Sequence, residues 1–214
     1  MLRVITAMFT ITAAQLHAGA WPRDEGQVFL SFSVESETEF PYRTYSALYV
    51  EYGATDKLTF GLDIGGDTTE MSKAIAFFRY PGKTSPGGLR TAWELGIGLA
   101  DGDFAFRPGI SYGLGIKWGE IDGWLGLETR SIIFTNGLAG TFEADATLGL
   151  SISKRNKLIF QLQSGMPPLE QTYIKIAPSL VREQSPGRHL EIGAAAGVMG
   201  TDEFKIKIGT WRQF

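Results

Sequence analysis

Few side chains in this sequence could carry covalent chemistry, and their spacing does not assemble a reaction centre. Cysteine is absent, which removes thiol nucleophiles, disulfides and thiolate metal sites together. The histidines are His17, in the amino-terminal segment, and His189. Ser185 lies shortly before His189, so a serine activated by a histidine base is the hydrolase arrangement to weigh. His189 opens a strand directly after the turn Ser185-Pro186-Gly187-Arg188, where a polar residue needs no catalytic explanation. One histidine does not build a histidine-rich zinc site. The loop Asp101-Gly102-Asp103 offers carboxylates to calcium but lacks the other ligand positions, and reads as a turn. Gly113-Leu114-Gly115 has no helix after it, so it cannot be read as a phosphate cradle. No catalytic residue, metal site or cofactor is assigned.

Charged residues at alternate positions are the stronger signal. Glu143 and Asp145 lie two apart, on one face of one strand. Such a pair could serve as general acid and base, but an ion-pair ladder with Arg130 on the preceding strand is the nearer reading. The same parity carries Glu35, Glu51, Asp63, Glu94 and Glu191, together with Arg43, Arg79, Arg107, Lys175, Lys205 and Lys207. Both signs are interspersed, the formal net charge is −3 and no basic run occurs, so no nucleic-acid partner is expected.

The elements that hold these charges are strands. In Ser46–Gly65 the residues Leu48, Val50 and Tyr52, then Leu58, Phe60, Leu62 and Ile64, alternate with polar or small ones around the turn Ala54-Thr55-Asp56-Lys57. Period-two alternation marks a strand with one apolar and one polar face. The unit recurs to the end of the chain, clearest in Phe142–Ile152, and predicts about twelve strands of roughly ten residues with no room for a helix. Trp124 is the exception, since it falls on the polar parity beside Glu128 and Arg130 and leaves that strand's facing open.

Residues 1–20 differ from the rest. Arg3 is their one charge, Val4–Leu16 is mostly apolar, and two cleavage-type triplets follow, Leu16-His17-Ala18 and Ala18-Gly19-Ala20. This pattern reads as a secretory signal peptide, cut after Ala18 or Ala20, with residues 21–214 forming one domain.

Alternation alone does not say whether the apolar face meets a core or lipid. Strands of about ten residues, tilted, fit the hydrocarbon thickness. Aromatics on the apolar parity fall in two groups, Tyr52, Tyr80, Trp93 and Trp118 toward one set of turns and Phe32, Tyr42, Phe104, Phe142 and Phe204 toward the other. Two aromatic girdles around an aliphatic band suit a membrane barrel. With its leader, even strand number and final Phe214, the chain resembles the bacterial outer-membrane β-barrels, whose last strand is read by the assembly machinery. Phe204, Ile206, Ile208 and Phe214 match that terminal signature, while Thr210 and Arg212 depart from it. The hairpin VEYGATDKLTFGLDIG also resembles the meta-pathway phenol-degradation barrels, a transporter-like family.

The expectation is a closed antiparallel up-and-down transmembrane barrel in the outer membrane, with its first and last strands paired and Glu35 bridged to Lys205 or Lys207. The fourteen charged residues named above would line its lumen, and Phe214 would serve assembly. The expected partners are outer-membrane lipid, the assembly machinery and a small solute. Passive passage of small solutes is the leading function, with small apolar compounds implied by the narrower resemblance. A structural barrel closed by internal ion pairs is the alternative. Outer-membrane lipid hydrolases resemble this size class and make a lipid-modifying enzyme the third reading.

Overall fold

The computed structural model describes residues 19–137, 140–168 and 171–214. The strands are β1 (Val28–Glu37), β2 (Thr44–Gly53), β3 (Thr59–Asp67), β4 (Met71–Pro81), β5 (Arg90–Ala100) and β6 (Asp103–Trp118). They continue with β7 (Ile121–Phe134), β8 (Thr141–Ser151), β9 (Asn156–Met166), β10 (Tyr173–Ser185), β11 (Arg188–Met199) and β12 (Phe204–Gln213). Each pairs antiparallel with its neighbours in sequence, and β1 pairs with β12, so the sheet closes into a twelve-stranded barrel. Most strands are near the expected length, but β6 and β7 reach 16 and 14 residues.

The alternation now has a direction. Leu62, Ile97, Ile133, Phe160, Ile192 and Ile208 point outward and are exposed, whereas Ile75, Phe77 and Val181 on the opposite parity are buried. Both proposed aromatic groups lie on the outside as well. An exposed aliphatic band with aromatic ends is stable only against hydrocarbon, so the barrel spans a membrane. Trp124 follows its parity and points inward, buried, which places Leu125 and Leu127 on the lipid side. Pro108 and Pro178 also fall on the outward parity, within β6 and β10, where each removes an N–H from the ladder. Pairing of β6 with β7 lapses from Phe106↔Ile133 to Gly109↔Arg130, and that of β10 with β11 from Ile176↔Ala196 to Ser179↔Gly193.

Closure extends to the last residue. Glu35 is opposite Lys207 and Glu37 opposite Lys205 in the β1–β12 register. The Val28 amide donates to the Phe214 carbonyl at 2.8 Å, and the Phe214 amide donates back to Val28 at 3.1 Å. Because the strand count is even, both chain ends lie at one rim, called here the terminal end.

The folded chain should therefore migrate faster unheated than boiled on detergent gels, and recovery as a soluble monomer would contradict the barrel. In the cysteine-free background, Glu35→Cys combined with Lys207→Cys should oxidise to an intramolecular disulfide, seen as a shifted unreduced band after boiling. Absence of that cross-link would contradict the closing register.

Candidate functional site

The lumen holds an ion-pair network built from one or two inward residues on each of several consecutive strands. Glu51 comes from β2, Asp63 from β3, Arg79 from β4, Glu94 from β5, Arg107 from β6, and Glu128 with Arg130 from β7. The Arg79 guanidinium forks between two carboxylates, donating through Nη1 to Glu51 Oε1 and through Nη2 to Glu94 Oε2 at 2.7 Å. It also donates to the Tyr49 hydroxyl at 3.0 Å. Arg107 repeats the fork one pair along, reaching Asp63 Oδ2 at 2.5 Å and Glu94 Oε1 at 3.0 Å. Lys73 Nζ donates to Asp63 at 3.0 Å. Arg130 donates to Glu128, and lies 3.6 Å from Glu94 and 4.0 Å from Asp145.

Small and flat residues make room for these long side chains. A Cβ on Gly96 would meet Ile75 and Arg107 within 3.3 Å, and one on Gly61 would strike the Phe77 ring. Phe77 stacks on Tyr49 and lies 5.3 Å and 5.4 Å from the Arg79 and Arg107 guanidinium carbons. Arg79 and Arg107 are each at most 2% exposed. Charges this dry are tolerated because planar forks satisfy two carboxylates at once, which offsets desolvation.

The amino-terminal arm, residues 19–27, enters the lumen from the terminal end. Ala20, Trp21 and Arg23 are buried. Arg23 Nε donates to Glu51 Oε2 at 2.5 Å, its backbone amide donates to Thr59 Oγ1 at 3.1 Å, and its guanidinium lies 4.4 Å over Phe29. Trp21 rests against Gly113 and joins Ala20, Trp124, Ile159 and Val181 in an apolar cluster. Trp124 in turn fills the space over Gly149. The amide of Gly19 donates to Glu128 Oε1 at 2.8 Å.

Open space remains among the described residues, including two cavities. One of about 490 Å³ opens near the terminal end between Trp21, Arg90, Lys117, Asp122 and Lys157. The other, about 220 Å³, lies deeper among Phe29, Tyr49, Ile159, Gln161 and Trp211, with Glu191 and Lys207 at its wall. Trp124 lines both and stands between them. Lys207 bonds Glu191 at 3.1 Å, and Trp211 Nε1 donates to the same carboxylate at 3.0 Å. At the far rim Glu203 accepts from Lys175 at 2.6 Å and from Lys205 at 3.0 Å.

Several expectations need correcting. Glu35 faces Lys207 across the seam but makes no ion pair with it, because Lys207 turns to Glu191 on β11 and Lys205 to Glu203. Glu143 is opposite Arg130, yet Arg130 bends toward Glu128, Glu94 and Asp145. Arg43 lies in the β1–β2 turn with its side chain 67% exposed, 3.3 Å from Glu37, and so belongs to the rim. Arg23, Lys73, Glu128, Tyr49 and Glu203 take part in the lumen contacts without having been singled out from sequence. The inward Gly113, whose face is covered by Trp21 and Ala20, was the signal that could have pointed to the arm. His189 is buried with its Nδ1 unbonded, and Ser185 is paired with Arg188 across the hairpin. Among the described residues no group of three or more His, Asp or Glu side chains could hold a metal ion.

No protein-family model matches the sequence, and no curated protein does either. Solved structures do match. The KdgM porin superposes with a TM-score of 0.66 at 7% identity, over 87% of this chain and 99% of that one. The NanC porin gives 0.65 at 9% identity, over 86% and 98%. An outer-membrane channel from Pseudomonas putida gives 0.62 at 9% identity, over 94% and 100%. The chain thus has the fold of the bacterial outer-membrane porins and channels.

Removing one fork should be costly. Arg79→Met leaves Glu51 and Glu94 short of a buried cation and should lower unfolding stability by about 3–5 kcal/mol, read from denaturant midpoints in detergent. Glu203 supplies a pH test. Burial opposes its charge, but hydrogen bonds and charges from Lys175 and Lys205 prevail and hold its carboxyl below the usual value. Its stabilisation is therefore complete above the unfolded value of roughly 4.3 and is lost as pH falls through the lower folded value. The melting-temperature difference between wild type and Glu203→Gln should be constant from neutral pH to about pH 5 and vanish in more acid solution.

Proposed function

We propose that the protein is a passive outer-membrane channel for small, uncharged solutes with apolar faces. The observation that carries this reading is the pair of lumen cavities separated by a single indole, Trp124, beside the arm. Paired charges fill much of the lumen along β2–β8; the inner cavity lies mainly against β1, β9, β11 and β12, whereas the outer one lies against β5–β9 at the terminal end. The inner cavity presents the rings of Phe29, Tyr49, Trp124 and Trp211 with a few polar groups among them, as sites for small organic solutes do. The cations of the network are committed to carboxylates, which leaves little free positive charge to select an anion. The channel folds that it resembles, and the aromatic lining, both support passage over catalysis.

The ion-pair network favours a second reading, a structural barrel whose lumen stays shut. The two differ in planar bilayers. As a channel, the wild-type protein should give discrete conductance steps, and Trp124→Ala, which removes the partition, should give larger ones. Liposomes containing it should also swell in small uncharged solutes. Silent bilayers with wild type and Trp124→Ala, together with a leak that appears only in Arg130→Ala, would replace the channel by the closed barrel.

A further inference from the structure

We propose that the export leader is cut between Ala18 and Gly19, and that the α-ammonium created there seats on Glu128 as the innermost latch of the arm. This rests on the exported-barrel reading. From sequence, both triplets offer a small residue at the cut, and Ala18-Gly19-Ala20 on its own is the closer match to the usual small-x-small pattern. The lumen distinguishes them, because the two residues in dispute already occupy fitted positions.

Gly19 nitrogen is 2.8 Å from Glu128 Oε1. As a peptide amide it offers one hydrogen to that carboxylate. As a chain terminus it would carry a full positive charge and three, making a charge-assisted bond. The position accepts little else. A Cβ there would lie 2.9 Å from Ser111 Oγ and 3.0 Å from Arg79 Cζ, so a larger residue would press on the Arg79 fork. Ala20 is 1% exposed, and a Cβ added to Gly113 would be 2.8 Å from its methyl group. A cut after Ala20 would discard this packing and strip Glu128 of its partner in the arm.

Arg23 on Glu51 and the terminus on Glu128 would then pin the arm at two depths, with Trp21 wedged between them.

Intact mass and amino-terminal sequencing of protein purified from outer membranes give the direct test. A chain beginning at Gly19 is expected; one beginning at Trp21, or retaining Met1, overturns the proposal. The latch is tested with chains refolded in detergent that begin at Gly19 or at Trp21. The shorter chain should keep the heat-dependent gel shift while its arm is cleaved several-fold faster by added protease. Glu128→Gln in the Gly19 chain should show the same accelerated cleavage. Equal cleavage rates in all three would overturn the latch. Conductance plays no part in these readouts, so a silent bilayer would count against the channel alone.

Discussion

A strand edge left open in hydrocarbon strands a row of backbone donors and acceptors, each at a cost of several kcal/mol. The pairing of β1 with β12 removes that edge, and much else follows from it. Closure requires an even number of strands in an up-and-down order, so both chain ends return to one rim. The arm before β1 therefore starts at the mouth of the lumen and needs only a short turn to enter it. Val28 and Phe214 exchange backbone hydrogen bonds at this rim, which makes the final residue part of the seam.

Twelve strands enclose more space than side chains alone fill, and this barrel fills it unevenly. Along β2–β8 the inward glycines let arginines cross the lumen and fork between carboxylates. Along β9–β12 and β1 shorter or uncharged inward residues such as Ser31, Gln161 and Ser179 alternate with the Lys207–Glu191 pair, and the inner cavity lies there. The arm settles on the charged side through Arg23 and on the apolar cluster through Trp21. Under the proposed channel function, a lumen narrowed by a peptide segment and an indole, rather than by a ring of free charge, would discriminate chiefly by size and apolar character.

The network also accounts for specificity of assembly. Arg79 and Arg107 each have two anionic partners on different strands, so a one-residue slip would turn these arginines toward lipid, where each costs about 2–4 kcal/mol at the midplane. Register in this barrel is thus set twice, by the outward aliphatic band and by the inward forks.

Period two was enough to read the strand number, the order and the facing of nearly every residue, because alternation is a local property of an extended chain; the membrane environment needed the aromatic girdles as well. Even Trp124 obeyed its parity, although its indole looked misplaced until Gly149 and the arm gave it a pocket. Parity could also place Glu35, Glu143 and Lys207 in the lumen, but not name their partners. A lysine or arginine reaches several carboxylates across a curved wall, and which one it takes depends on distances between strands far apart in sequence. Lys207 choosing Glu191 over the Glu35 directly opposite is such a case. The arm has no periodicity at all, so nothing local marked Gly19–Arg23 as part of the interior. Only the closed tertiary structure, by bringing Glu51, Glu128 and the bare face of Gly113 into one lumen, decided where that segment goes.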